Sequence, residues 1–248
     1  MSAREYEKWR DAHTWDPSRG SGLVLHWDLA PAAWIGPRVQ DDRECQVGGL
    51  VPGGFGGYAR IFFPFIVDVV ASGPDEQTWT EVTWKEMAQR NGRVAHALME
   101  EDNICAGQDD SRTSRYAEMA PRQFGALLSV LARHTASPES WFLLWDGFGN
   151  LNERVFSPAP KVRHPGRDYY LLSGQHMAYR SFPDEPSFWW PEDQAWCVCT
   201  DTDIDWAYVA GSAACIKEIL AVPVIDAWAT TPEDPAHVGM DVINKLGK

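Results

Sequence analysis

The stretch PRQFGALLSVLARHTASPESWFLLW, residues 121–145, sets a helix directly before a buried strand and decides the fold class. Its first part has apolar residues at positions 124, 127, 128 and 131, which is the spacing of an amphipathic helix. Because proline is tolerated in a first helical turn, this pattern predicts a helix over residues 121–135. The second part, Trp141–Trp145, is an unbroken apolar run that predicts a buried strand, and Asp146 and Gly147 end it as turn residues.

The rest of the chain repeats these two signals in no regular order. Helices are predicted over residues 2–13, 83–90 and 212–221, with a weaker one from residue 234 to Leu246. Strands are predicted over residues 58–70 with a break at Pro64, and over 169–172, 195–200 and 226–229. Two segments are predicted to be irregular because one is polar and the other rich in proline, namely residues 100–118 and 181–191.

Helices and strands that alternate without a βαβ rhythm indicate an α+β fold, with a mostly antiparallel sheet flanked by helices. No internal repeat of roughly 20–50 residues and no clean linker divides the chain. We therefore predict a single domain over residues 1–248, with peripheral helical extensions at its N- and C-terminal ends.

The helix over residues 83–90 carries the most complete start and stop signals. Thr83 and Glu86 have the spacing of a capping box, and Val82 and Met87 are placed to form a hydrophobic staple around it. The Asn-Gly pair at residues 91–92 predicts its end.

The chain is strongly acidic, with 35 aspartates and glutamates against 22 lysines and arginines and a formal net charge of −13. Nucleic-acid binding needs cations that displace phosphate counterions, and anionic membranes attract polybasic segments. We therefore expect neither a nucleic acid nor a membrane as a partner. An acidic surface suits a basic protein segment or a cationic, amphipathic small ligand instead.

The five cysteines do not form a disulfide pattern, because their number is odd and their spacing does not repeat. Cys197 and Cys199 would share one face of a strand, but no second pair completes a metal site. We predict buried thiols in a reducing compartment. The N-terminal segment is too polar for a signal peptide, and no apolar run approaches the roughly 18 residues of a membrane span. These features predict a cytoplasmic protein.

The sequence contains no complete signature of cofactor binding or catalysis. Residues 54–59 match a loose GxGxxA, but Pro52 precedes them and a β-rich run follows, whereas a dinucleotide site needs a strand before and a helix after. No GxSxG, HExxH or catalytic cysteine motif occurs. We therefore expect no cofactor.

Three aspartates at alternate positions resemble the start of an EF-hand loop. Counted from Asp201, through Asp203 and Asp205, the sixth position is Trp206 rather than glycine and the twelfth is Ser212 rather than glutamate, which rejects the motif. On a strand the three carboxylates would crowd one face, which is costly unless water or a cation is present. We expect no metal site, although a divalent cation on two of these aspartates remains an alternative.

Thirteen tryptophans are present, and many of them adjoin acidic residues, most densely between Phe188 and Trp206. One interpretation is a tryptophan-rich core. The other is a groove in which indoles and carboxylates together bind a cation, through cation–π contact and charge. The candidate binding residues are Trp189, Trp190, Asp201, Asp203, Asp205, Trp206 and Asp146.

Several segments are similar to a group of uncharacterised actinobacterial proteins. They are Val51–Phe55, Tyr58–Ile61, Trp141–Gly149, Arg167–Leu172 and residues 188–212, so the resemblance covers about residues 50–228. It implies a bacterial source and a single folding unit, and it transfers no catalytic residue. A more distant likeness connects the chain to immunity-type modules of the SMI1/KNR4 kind, without their early helix with paired acids.

These observations favour a non-catalytic binding protein, immunity-like or ligand-binding, that uses an acidic, aromatic surface near residues 188–206. The alternative is a small-molecule enzyme of the hydrolase type, with an aspartate as base and a possible dependence on a divalent cation. A neighbouring toxin gene would favour the first class, and a biosynthetic operon the second.

Overall fold

The computed structural model describes residues 14–40, 45–70, 77–105, 113–115, 119–164 and 166–245. The helix predicted over residues 2–13, and Leu246 at the end of the chain, lie outside the described residues.

Twelve strands and five α-helices occur within the described residues. The strands are β1 (Val24–Leu25), β2 (Gly57–Phe62), β3 (Phe65–Val70), β4 (Gln77–Val82), β5 (Thr113–Arg115), β6 (Glu139–Trp145), β7 (Val162–His164), β8 (Arg167–Gln175), β9 (Phe188–Pro191), β10 (Trp196–Cys199), β11 (Trp206–Gly211) and β12 (Ala227–Thr230). The helices are α1 (Trp84–Arg90), α2 (Glu101–Ile104), α3 (Pro121–Leu131), α4 (Glu153–Phe156) and α5 (Ala213–Leu220).

The strands form a nine-stranded sheet and a three-stranded sheet. The large sheet has the order β1-β8-β6-β9-β10-β11-β2-β12, with β7 also paired to β8, and the small sheet has the order β4-β3-β5. Every one of these strand pairs is antiparallel. The predicted α+β fold with a mostly antiparallel sheet is therefore confirmed. The predicted break at Pro64 is the point where the chain leaves the large sheet and enters the small one.

The large sheet is buried on both faces, which explains why its strands are apolar runs rather than alternating ones. One face forms a first core with α3 and α5, in which Phe142, Trp189 and Trp196 are buried. The opposite face forms a second core with the loops and short turns of residues 29–39 and 47–55, and Trp190 and Leu171 are buried there. Successive residues of a strand thus enter different cores, because the side chains of a strand alternate between its faces.

A third core lies where the two sheets meet α1 and α2. Trp84 is fully buried in it, stacks on Phe62 at 4.4 Å and donates its indole N–H to the Phe63 carbonyl at 2.7 Å. The predicted capping box is present: Thr83 Oγ1 accepts from the Glu86 N–H, and a Glu86 carboxylate oxygen accepts from the Thr83 N–H, both at 3.1 Å. The sequence signals for α1 are therefore confirmed.

A polar network joins residues 94–103 to the segment that follows β12. The carboxylate of Asp241 is fully buried and accepts a hydrogen bond from His96 Nε2 at 2.9 Å. Glu100 accepts from the Asp241 N–H at 3.1 Å, and Asn244 exchanges two hydrogen bonds with the Val94 backbone. This network, rather than the helix predicted from residue 234, organises the segment. Residues 234–245 consist of turns, bends and an isolated bridge between Pro235 and Gln46.

Two further segments differ from the prediction. Residues 188–191 are not irregular but form β9, which pairs with both β6 and β10. Pro191 ends the strand and pairs with β6 but not with β10, and the burial of Trp189 and Trp190 outweighs the turn signals before them. Residues 101–104 form α2 rather than a loop, because Ile104 is buried in the third core.

Replacing the cap of α5 is expected to destabilise the fold moderately. Ser212 Oγ accepts from the Cys215 N–H at 3.1 Å, and α5 buries Cys215, Ile216 and Ile219. Ser212→Ala should therefore lower the free energy of unfolding by about 1 kcal/mol, as for other lost caps. Urea unfolding measures this, with Ser129→Ala, at a non-capping position inside α3, as the control. An equal loss in both variants would contradict the role of the cap.

Candidate functional site

The two adjacent tryptophans of the predicted surface lie inside the protein. Trp189 belongs to the first core and donates its indole N–H to Ser140 Oγ at 2.7 Å. Trp190 points to the opposite face and lies edge-on to Trp34, with ring centroids 5.9 Å apart, in the second core. Both rings are at most 1 % exposed. They do not meet the acidic residues at a common pocket. Both tryptophans are core residues, as in the first of the two interpretations of the sequence.

Trp206 is half-buried and packs on a buried cation. The Arg60 guanidinium carbon lies 3.6 Å from the centroid of a Trp206 ring and 4.3 Å from that of Phe62. Burial lowers the pKa of Arg60 to about 10, although Tyr208, Glu100 and Asp241 act in the opposite direction. The side chain remains charged at neutral pH, and its N–H groups donate to the Ala97 and Met99 carbonyls. Trp206 is therefore part of a structural cation–π contact.

The aspartates after β10 converge on one arginine. Arg167 Nη2 lies 3.0 Å from Asp201 Oδ1 and 2.7 Å from Asp203 Oδ2. The loop that carries both acids is fixed internally, because Asp201 Oδ1 also accepts from the Asp203 N–H at 2.9 Å. Asp205 is half-buried, and its carbonyl accepts from the Phe63 N–H. The structure thus brings two of the three predicted aspartates together.

Asp201 and Arg167 line a concave site of about 200 Å³, which we name the Arg167 cleft. Asp203 lies beside it, through its contact with Arg167. The walls of the cleft include Leu50, His164, Arg167, Tyr169, Phe188 and Asp201. The β7–β8 hairpin positions three of them, because Gly166, at φ 84°, turns the chain so that His164 pairs with Arg167. Glycine is favoured at such a positive φ. Burial raises the pKa of Tyr169, more than Arg167 lowers it, so that its hydroxyl stays protonated at neutral pH.

An aromatic platform holds Arg167 beside the cleft. Its guanidinium carbon lies 4.9 Å from the centroid of a Trp145 ring, a cation–π geometry. Gly147 lies flat against the same indole, since a Cβ at that position would be 2.2 Å from Trp145 Cζ2. The predicted site residue Asp146 is adjacent, and its carboxylate accepts from Lys161 Nζ at 2.6 Å. Asp146 is therefore near the cleft without lining it.

Two carboxylates face one cation at the Arg167 cleft, namely Asp201 and Asp203 against Arg167. The neighbouring acids Asp146 and Asp168 are instead paired with Lys161 and Arg163. Asp203 has a side chain that is 79 % exposed, whereas Asp201 is 17 % exposed. The cleft thus has one shielded carboxylate in its wall and one open carboxylate beside it.

Sequence reasoning missed the residues that complete the cleft. His164, Arg167 and Tyr169 lie about 35 positions before the aspartates, and only strand pairing brings the two groups together. The one sequence signal for this hairpin is the Pro-Gly pair at 165–166, which is typical of a turn and lies between a charged and an apolar run.

The described residues contain neither a cluster suited to a metal ion nor a disulfide. No three His, Cys, Asp or Glu side chains within the described residues are placed to hold a metal ion. Cys197 and Cys199 are buried on one strand face with their sulfur atoms 3.7 Å apart. All five cysteines lie in the described residues, and none of them forms a disulfide.

In comparisons with known proteins, the chain matches no family model, no curated protein and no solved structure. The resemblance to actinobacterial proteins therefore stays a prediction. No helix in the described part of the chain is long and apolar enough to cross a membrane.

Proposed function

We propose that this is a non-catalytic binding protein that takes an arginine or lysine side chain of a partner protein into the Arg167 cleft. The observation that carries the proposal is the convergence of the Asp201 and Asp203 carboxylates on Arg167, with Asp201 in the wall of a concave site beside Tyr169 and Phe188. Carboxylates supply charge-assisted hydrogen bonds to a cation, and apolar walls cover its aliphatic stem.

The ion pairs within the cleft leave room for an incoming cation. Arg167 uses one oxygen of each carboxylate, and no described residue donates to Asp201 Oδ2 or Asp203 Oδ1. A carboxylate has about four acceptor positions on its two oxygens. The contact of Arg167 with Asp203 is exposed and contributes only about 0–1 kcal/mol. A second cation can therefore share or replace it at little cost.

The size and charge of the cleft favour a protein side chain. Its volume of about 200 Å³ is below the roughly 300–1,000 Å³ of small-molecule pockets. The net charge of −13 attracts a basic surface over long range and repels phosphate polymers and anionic lipids. We place this interaction in the cytoplasm, which the absence of disulfides supports.

Neutralising either aspartate is expected to weaken binding of a basic peptide. The probe is an acetylated, amidated Gly-Arg-Arg-Gly peptide, titrated by calorimetry or NMR against its Gly-Gln-Gln-Gly counterpart. Asp201→Asn should raise its Kd about tenfold, because one charge-assisted hydrogen bond contributes about 1.5–3 kcal/mol. Asp203→Asn should act in the same direction, and higher salt should weaken binding further.

The matched control is Glu192→Gln, an exposed acid that follows β9 at the end opposite Phe188. It changes the net charge equally and should leave the Kd unchanged. If all three variants bind alike, or if the glutamine peptide binds as well as the arginine peptide, the cleft is not the binding site.

The hydrolase alternative has its own expected results. It requires that Asp203→Asn abolish turnover and, in its cation-dependent form, that EDTA do the same. Melting temperatures that do not change across a panel of divalent metals would count against that form.

A further inference from the structure

A second concave site lies at the other edge of the large sheet, between α1 and the loop from α5 to β12. This groove has a volume of about 480 Å³, within the roughly 300–1,000 Å³ range of small-molecule pockets. It is well separated in the sheet order from the Arg167 cleft, since β12 is an edge strand and β8 lies near the opposite edge. We name it the Asp226 groove.

A carboxylate with fixed geometry lies in this groove. Asp226 is 8 % exposed; one of its oxygens accepts from Trp228 Nε1 at 3.1 Å and the other from the Lys85 backbone N–H at 3.2 Å. Burial raises the pKa of Asp226, and the hydrogen bonds from Lys85 and Trp228 only partly oppose it. Because burial disfavours the charged form of this carboxylate, a cation that comes close to it stabilises that form.

Apolar surface surrounds this carboxylate. Leu220 is 38 % exposed, Trp228 is half-buried, and Val222 and Pro223 complete the wall. An indole next to an acid offers both a hydrophobic contact and cation–π attraction. The combination of one acid with a large apolar wall matches a ligand with one positive group and a hydrophobic body.

The charges on the rim agree with a cationic ligand. Lys85 and Glu86 both line the groove and are exposed, so that with Asp226 the acids exceed the cations by one. Glu86 is already held by Thr83 in the capping box. Lys85 is therefore the group that competes with an incoming cation for Asp226.

We propose that the Asp226 groove binds a small amphipathic amine, with its ammonium group on Asp226 and its hydrophobic body against Trp228 and Leu220. The ligand class is an arylalkyl or alkyl primary amine. The volume of the groove accommodates the whole molecule rather than a single side chain, which favours a free small molecule over a protein segment. The site is independent of the function proposed for the Arg167 cleft.

The test is titration with 2-phenylethylamine and its neutral counterpart 2-phenylethanol, followed by the indole N–H resonance of Trp228. The amine should shift that resonance and bind at least tenfold more tightly than the alcohol. Asp226→Asn should remove this preference, whereas Asp201→Asn, in the other site, should leave it intact. Lys85→Gln, an exposed position, should tighten amine binding severalfold because it removes the competing cation.

Equal affinity for amine and alcohol, or shifts confined to other tryptophans, would overturn the proposal. The comparison of the two ligands uses the unmodified protein, so it tests the proposal even if Asp226→Asn fails to fold. A lysine tripeptide that binds more tightly than 2-phenylethylamine would replace the small molecule by a protein segment and also overturn it.

Discussion

Trp189→Ala is expected to lower the free energy of unfolding by about 3–5 kcal/mol, the usual cost of truncating a large buried aromatic. The ring is 1 % exposed and lies at the centre of an aromatic cluster. Its ring centroid is 4.9 Å from that of Trp196 and 5.0 Å from that of Tyr179. The substitution also removes the partner of Ser140 Oγ, which leaves a buried hydroxyl with one hydrogen bond fewer.

Urea unfolding followed by circular dichroism measures this loss. Trp27→Ala is the matched control, because Trp27 is 59 % exposed and its truncation should change stability by less than about 0.5 kcal/mol. If the two substitutions cost the same, Trp189 is not a core residue, and the original interpretation of it as a binding residue would regain its basis.

Asp241→Ala is expected to be comparably severe, at about 3–5 kcal/mol, because several buried donors lose their acceptor and each unsatisfied donor costs about 1–3 kcal/mol. The carboxylate is fully buried and accepts from His96 Nε2 at 2.9 Å and from the Asn244 N–H at 2.9 Å. The Asn244 side chain and the Glu100 N–H donate to its other oxygen. Alanine would leave all of these donors without their acceptor.

The same residue predicts an acid dependence of stability. Burial alone would raise the pKa of Asp241, but hydrogen bonds from Asn244 and the charge of His96 outweigh it and hold the pKa below the ordinary 3.8. The folded state thus binds fewer protons than the unfolded state, so the contribution is complete above pH 3.8 and is lost as the pH falls through the folded pKa. Between pH 5 and about 3, the unmodified protein should lose stability more steeply than Asp241→Ala. Asp203→Asn, at an exposed position, should retain the steep slope, and parallel curves for all three proteins would contradict the assignment.

The sequence predicted those elements whose signals are local. The capping box at Thr83, the apolar stripe of α3 and the break at Pro64 each depend on residues within a few positions of one another, and all three are present. β9 was missed because its place between β6 and β10 comes from pairings with residues about 10 and 50 positions away. The turns after Asp234 were missed because the buried Asp241 network, which is equally non-local, overrides a weak helical pattern.

The candidate site was predicted only in part, because some of its residues are also brought together by non-local pairing. Asp201 does line a concave site and Asp203 lies beside it, but their partner Arg167 and the wall residue His164 come from a distant hairpin. The prediction that Trp189 and Trp190 lie on a surface was wrong, because the density of indoles along the chain does not reveal which faces of the sheet are covered. Since this sheet is covered on both faces, adjacent tryptophans were both buried.

The long-range ties of Asp241 also bear on the order in which the chain acquires its structure during synthesis. His96 and Glu100 are bonded to a residue about 140 positions later in the chain. At about 5–20 residues per second, a ribosome needs roughly 7–28 s to produce that interval. Throughout this time Asp241 is not present to bond His96 and Glu100. The Asp241 network is therefore among the last sets of contacts that a nascent chain can complete.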